Sequence, residues 1–145
     1  MQQTETCDVL VIGGGPAGST VSTYLRREGW NVVLLEKDQH PRFHIGESLL
    51  PRNLPIFDEM GVAEKIRNIG VLKRGADFTL PGESAYVIAD FSKALDPSPP
   101  TAYQVKRAEF DEVLLRHADV VVIAGEIFMR TRSNQPPRGS GHGSR

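Results

Sequence analysis

The chain has one cysteine among its 145 residues, Cys7, so no internal disulfide can form, and a reducing cytoplasm is the expected compartment. No apolar run approaches the ~20 residues of a membrane span, and no basic-then-apolar leader is visible, so neither a membrane helix nor a secretion signal is expected. An excess of one charge is missing too. Seventeen basic residues against 18 acidic ones leave a net charge of −1, and no broad field points to nucleic acid or an anionic membrane. There is no C-x-x-C pair, no G-x-S-x-G elbow and no Walker lysine behind the glycine-rich stretch. His40 and His44 are spaced as H-x-x-x-H, but Pro41 opposes the helix that would aim both rings at one metal, so they read as solvated loop residues. His117 reads as a packed residue on its helix, Trp30 as packing ahead of a strand, and Cys7 as a small, partly buried hydrophobe.

What the chain does have is Asp8-Val9-Leu10-Val11-Ile12-Gly13-Gly14-Gly15-Pro16-Ala17-Gly18, an apolar run that ends in G-x-G-x-x-G. Gly13 permits a tight strand-to-helix turn, Gly15 lets backbone approach a pyrophosphate, and Gly18 lets helix and sheet pack closely. The pyrophosphate would sit on the helix N-terminus, where unpaired N–H groups and the dipole favour an anion. Ala17–Glu28 suits a helix, and Asn31–Glu36 reads as a buried parallel strand that ends in an acid. Glu36 can accept hydrogen bonds from a ribose 2′-hydroxyl and would repel a 2′-phosphate, which favours FAD or NAD over NADP.

Further along, residues 40–52 are rich in proline, glycine and charge and read as a loop. Leu54, Phe57 and Met60 recur at helical spacing with Gly61 as a stop, Pro55 lying in the first turn or kinking the helix. A short helix follows from Ala63 and ends at Gly70. Two strands, Ala76–Leu80 and Ala85–Phe91, suggest a hairpin across Pro81-Gly82-Glu83-Ser84, and Asp96–Pro100 is a loop. Arg107–Ala118 predicts an amphipathic helix with Phe110, Val113 and Leu114 inward, and Asp119–Ala124 a buried strand that rejoins the main sheet. From Arg130 onward, four arginines, no acids and a Gly/Ser/Pro composition predict a disordered tail.

Three segments resemble the flavin-dependent halogenases and their relatives in the FAD monooxygenase superfamily. Gly46-Glu47-Ser48-Leu49-Leu50-Pro51 is similar to their G-E-[SA]-x-x-P loop. Lys73-Arg74-Gly75-Ala76-Asp77-Phe78 looks like their K-x-G-A-x-F segment, and Val105-Lys106-Arg107-Ala108-Glu109-Phe110-Asp111 resembles their V-x-R-x-x-F-D helix start. The resemblance covers Asp8 to Ala118. It implies an α/β, Rossmann-like FAD/NAD(P)-binding three-layer fold with a small β excursion, residues 1–125 being a partial FAD-binding domain and residues 126–145 the tail.

For the site, the resemblance implies FAD as cofactor. Gly13, Gly15, Pro16, Ala17 and Gly18 would line its diphosphate, with Glu36 and Lys37 at the ribose. Arg42, Gly46, Glu47, Ser48 and Arg107 would lie toward the flavin and its charges, and Lys73 would be catalytic. The implied chemistry starts from reduced FAD, oxygen and a halide, passes through a flavin hydroperoxide and hypohalous acid, and halogenates an electron-rich aromatic substrate. A flavin reductase would supply reduced FAD. Lys73 would lie at the substrate end of a water-poor channel; its other reading is a charged surface pair with Arg74. An FAD-dependent hydroxylase, a prenyl reductase and a non-enzymatic nucleotide-binding module are the alternatives, none of which needs that lysine. The halogenases' W-x-W-x-I-P segment, second catalytic acid and later Gly-Asp motif have no counterpart in this sequence. The expectation is therefore an amino-terminal part with weak FAD retention and no halogenation when isolated.

Overall fold

In a computed structural model, which describes residues 6–79, 82, 86–96 and 99–124, the aliphatic run Val9–Ile12 forms strand β1 and feeds helix α1 (Pro16–Arg27). Pro16 opens the helix, where its missing N–H leaves no bond unmade, and Arg26 and Arg27 sit in the last turn against the negative dipole end. Strand β2 (Val32–Glu36) returns parallel to β1, in register from Val9↔Val32 to Ile12↔Leu35. The expected return to the main sheet is found. Strand β7 (Val121–Ala124) pairs parallel with the other side of β2, from Val33↔Val121 to Glu36↔Ala124, giving the order β1-β2-β7. Being central, β2 buries Val32, Val33 and Leu34.

The principal apolar core lies among the helices. Helix α2 (Asn53–Met60) holds Pro55 within its first turn and stops at Gly61, which is left-handed. Helices α3 (Ala63–Ile69) and α4 (Arg107–His117) complete the set, so the helical readings hold to within a residue or two at their ends. Leu49, Phe57, Met60, Val62, Ile66, Val105, Phe110 and Leu114 form one buried cluster, with Tyr24 of α1 and Val113 packed against it. Phe57 and Phe110 meet edge to face at 5.6 Å. Side chains of this kind contribute about 1.5–3 kcal/mol each when buried.

The sheet's opposite face is different. Register aligns Leu10, Val33 and Val121 in one row and Ile12, Leu35 and Ile123 in the next. The outer members Leu10, Ile12, Val121 and Ile123 are all exposed. The α/β class is thus present, with one helical layer among the described residues.

The β excursion is larger than expected. Strands β4 (Gly75–Thr79) and β5 (Tyr86–Asp90) pair antiparallel as the hairpin signal suggested; most of its turn lies outside the described residues. Two unanticipated strands, β3 (Gly70–Lys73) and β6 (Ala102–Val105), also pair antiparallel, and a 3-10 turn at Phe91–Lys93 follows β5. The tail predicted from residue 126 lies outside the described residues.

Three side-chain expectations are corrected. Trp30 is 50% exposed, its backbone N–H donating to Leu25 O in the α1–β2 turn while half of its surface faces outward. Cys7 is exposed, since it precedes β1 rather than joining it. His40 is not solvated: its side chain is 5% accessible and lies 3.9 Å from Glu36.

Candidate functional site

The glycine turn is fixed by β2 on one side and by α1 on the other. Gly13 N–H donates to Leu35 O at 2.7 Å, and Gly14 N–H donates to Glu36 Oε2 at 2.6 Å, so the turn is tied to β2 at two successive residues. Buried Ser19 closes it from the helix side, its hydroxyl donating to Gly14 O at 3.0 Å. A Cβ on Gly18 would stand 1.8 Å from Gly13 O, so the close helix–turn approach requires glycine there. Gly15 is otherwise: an added Cβ would meet only Arg42 Nη2, at 3.9 Å, and would fill open space.

That space adjoins the first turn of α1. Gly15 caps the helix without a side-chain hydrogen bond, and no acidic residue stands in the first turn. The leading N–H groups therefore face outward beside a guanidinium, an arrangement suited to a diphosphate. The residues present fit FAD on this observation. Pro16 starts the helix, and Ala17 is exposed at its mouth.

Glu36 is 3% exposed at the end of β2. Burial pushes its carboxyl upward, but N–H donors from Asp38 (2.9 Å) and Gly14, with Arg42 and His40 nearby, outweigh this and hold it below the ordinary carboxylate range. Arg42 lies 3.6 Å from both Glu36 Oε2 and Asp38 Oδ2. Among the described residues neither His40 ring nitrogen has a hydrogen-bond partner. A hollow of about 260 Å³ beside this cluster is bordered by Asp38–His40, Glu112, Leu115, Arg116 and Val122. Lys37 is exposed next to Glu36.

The Gly46–Ser48 loop is strapped to β6 and α4. Val105 N–H donates to Glu47 O at 2.8 Å, Leu49 N–H donates to Tyr103 O at 2.9 Å, and Ser48 forms a bridge with Gln104. Arg107 Nη1 donates to Ile45 O at 2.8 Å, while its Nε and Nη2 grip fully buried Asp111 at 2.8 and 3.0 Å. Arg107 is thus a clamp with its charge already paired. Gly46, at φ 94°, has the left-handed backbone that favours glycine, and a Cβ there would come to 3.1 Å from Arg107 Nη1. A hollow of about 450 Å³ runs between this loop, α2, α4 and the start of α1, reaching Pro16, Ala17, Gly46 and Arg107.

Lys73, the last residue of β3, comes to the same loop. Its ammonium donates to Ser48 Oγ, lies 3.4 Å from Leu49 O and stands 5.1 Å from the Phe91 ring centroid. The structure therefore brings together two groups of expected site residues. Gly13–Gly18, Glu36 and Arg42 form one, and Gly46–Ser48, Arg107 and Lys73 the other; the 450 Å³ hollow links them. Sequence reasoning missed Asp111, Phe91 and His40. Asp111 had a readable signal, an acid four residues after Arg107 on one helix face, whereas Phe91 and His40 had none.

Comparison with known proteins agrees with this geometry. Residues 6–135 match the family model described as FAD binding domain. A flavin-dependent halogenase of Armillaria mellea is 45% identical over 119 residues, covering 81% of this chain and 22% of that protein. The tryptophan 2-halogenase of Chondromyces crocatus is 44% identical over 119 residues, with the same coverage of 81% and 22%. Among solved structures, the myxobacterial chondrochloren halogenase CndH superposes with a TM-score of 0.75 at 37% identity, covering 83% of this chain and 29% of that one. The flavin-dependent halogenase CmlS gives 0.73 at 35%, covering 84% and 23%. The chain spans about a fifth of the length of the curated relatives it matches, 22% for those two. It belongs to the FAD-binding-domain family, with FAD as cofactor, and is similar over that stretch to part of several flavin-dependent halogenases.

Proposed function

We propose that this chain forms the FAD-holding and lysine-bearing region of a halogenase that acts on an electron-rich aromatic substrate. Gly13–Gly18 and the first turn of α1 would hold the diphosphate, Arg42 adding charge at its mouth. Glu36 would take the ribose hydroxyls, and the hollow beside His40 and Val122 is of a size for the adenine. Gly46, Glu47 and Ser48 would border the flavin end. Bound FAD, reduced by a separate flavin reductase, would supply the electrons that activate dioxygen, and dioxygen would supply the oxidising equivalents for halide oxidation. Lys73 would then hold the hypohalous acid by hydrogen bonding and present it to the ring.

One observation carries this reading: Lys73 Nζ meets Ser48 of the flavin-side loop although 25 residues separate them. A hydroxylase or prenyl reductase would have no use for an amine there. The experiment is a chimera in which residues 6–124 replace the matching segment of the Armillaria mellea halogenase. Halide incorporation into a phenolic substrate, read by mass spectrometry, should persist and then disappear with Lys73→Ala at unchanged FAD content. Continued halogenation by the Lys73→Ala chimera, or a flavin-loaded chimera that only hydroxylates, would contradict the assignment.

A further inference from the structure

Lys73 is held by three neutral groups on two separate elements, a hydroxyl and a carbonyl of the Gly46–Leu49 segment and the face of Phe91. No carboxylate forms an ion pair with it among the described residues. The choice of partner has a chemical consequence. A carboxylate can only accept and would favour the ammonium form, whereas a hydroxyl accepts from an ammonium and donates to a neutral amine. An amine that must change protonation or accept a new partner during turnover needs a contact that survives both states.

Ser48 is built to be that contact. The residue on each side of it is fastened by main-chain bonds to β6, Glu47 O accepting from Val105 and Leu49 N–H donating to Tyr103 O, and Ser48 itself bridges to Gln104. Upstream, the Arg107–Asp111 clamp holds Ile45 O. Lys73 is itself tied to β6, opposite Ala102. Hydroxyl and amine are thus both placed by one short strand.

We infer that Ser48 is a positioning residue that seats the Lys73 amine against the flavin-side loop in either protonation state. The inference rests on the reading of Lys73 as the halogen-handling residue. Its test reads the geometry directly, so it can fail while that reading stands, and the reverse.

The test is competitive labelling of the purified chain with acetic anhydride, quantified lysine by lysine by peptide mass spectrometry. Lys37, Lys65, Lys93 and Lys106 are exposed and serve as internal references. Wild-type Lys73 should label most slowly of the five. Ser48→Ala should raise its rate about five- to tenfold, as expected for losing one ordinary hydrogen bond, with the references changed less than about twofold. Ser48→Thr, which keeps the hydroxyl, should restore slow labelling. In the chimera, Ser48→Ala should lower kcat for halogenation per bound FAD, and Ser48→Thr should recover it. Overturning results are Lys73 labelling at reference rates in the wild type, no change with Ser48→Ala, or a rise shared by all five lysines that Ser48→Thr fails to reverse.

Discussion

The glycine turn is held by partners within one contiguous stretch: Gly13 N–H donates to Leu35 O, Gly14 N–H to the Glu36 carboxylate and the Ser19 hydroxyl to Gly14 O, so residues 9–36 contain every part. The lysine seat is held by side chains and by partners far along the chain, with Ser48, Lys73, Phe91 and Arg107 contributed by a loop, β3, a 3-10 turn and α4. The first kind of site is complete wherever its one contiguous stretch is kept. The second fails when a single distant side chain is lost, because no local structure replaces it. Substitutions should therefore separate the two regions.

Arg107→Ala should have the largest effect. It leaves fully buried Asp111 without its bidentate partner and frees Ile45 O, at an expected cost of about 3–5 kcal/mol in urea unfolding. Replacing both Arg107 and Asp111 by alanine should recover part of this, because no lone buried charge remains. If Arg107→Ala alone is neutral, the clamp is not what holds the loop.

Next come two glycines three residues apart. Gly18→Ala drives a Cβ to 1.8 Å from Gly13 O and should destabilise the chain by about 3 kcal/mol. Gly15→Asp should do the opposite in kind. Aspartate is a favoured helix cap, so stability should be kept, while its charge in the open space by Arg42 should weaken FAD at least tenfold, about 1.4 kcal/mol, by flavin fluorescence titration. Equal effects of the two substitutions on stability would erase the distinction between a packing glycine and a ligand-clearance glycine.

The smallest effect is on pH. Glu36 is held below the ordinary carboxylate range, so its contribution is present in full above about pH 4.3 and is lost as pH falls through its lowered folded value. Acid unfolding of Glu36→Gln should consequently depend less on pH below about 4 than that of the wild type.

How much of this was legible follows the same division. The β1–α1–β2 unit could be read because its signals are contiguous: an aliphatic run, three spaced glycines, a helix and an acid. Helices α2, α3 and α4 announced themselves by period and by Gly61, and β7 by its aliphatic run. Strands β3 and β6 did not. Each has four residues, and Lys73↔Ala102 pairs across nearly thirty positions, so the pairing that makes them strands is invisible locally. Their trace was faint: the two buried residues of β6, Ala102 and Val105, stand at its ends, without the alternation of a half-buried strand. Lys73 itself was found through family resemblance, and nothing near it in sequence pointed to Ser48 or Phe91. Sites read from backbone geometry yield to sequence, and sites assembled by long-range pairing need the fold.

The most direct test of the account is a two-dimensional 15N–1H NMR titration of the labelled chain with FAD, which registers even weak binding. The account predicts that the amides of Gly13, Gly14, Gly15, Ala17, Gly18 and Glu36 shift first and furthest, with the Gly46–Ser48 amides following. Shifts centred on the β4–β5 hairpin or on the exposed sheet face, or no shifts at saturating flavin, would contradict it.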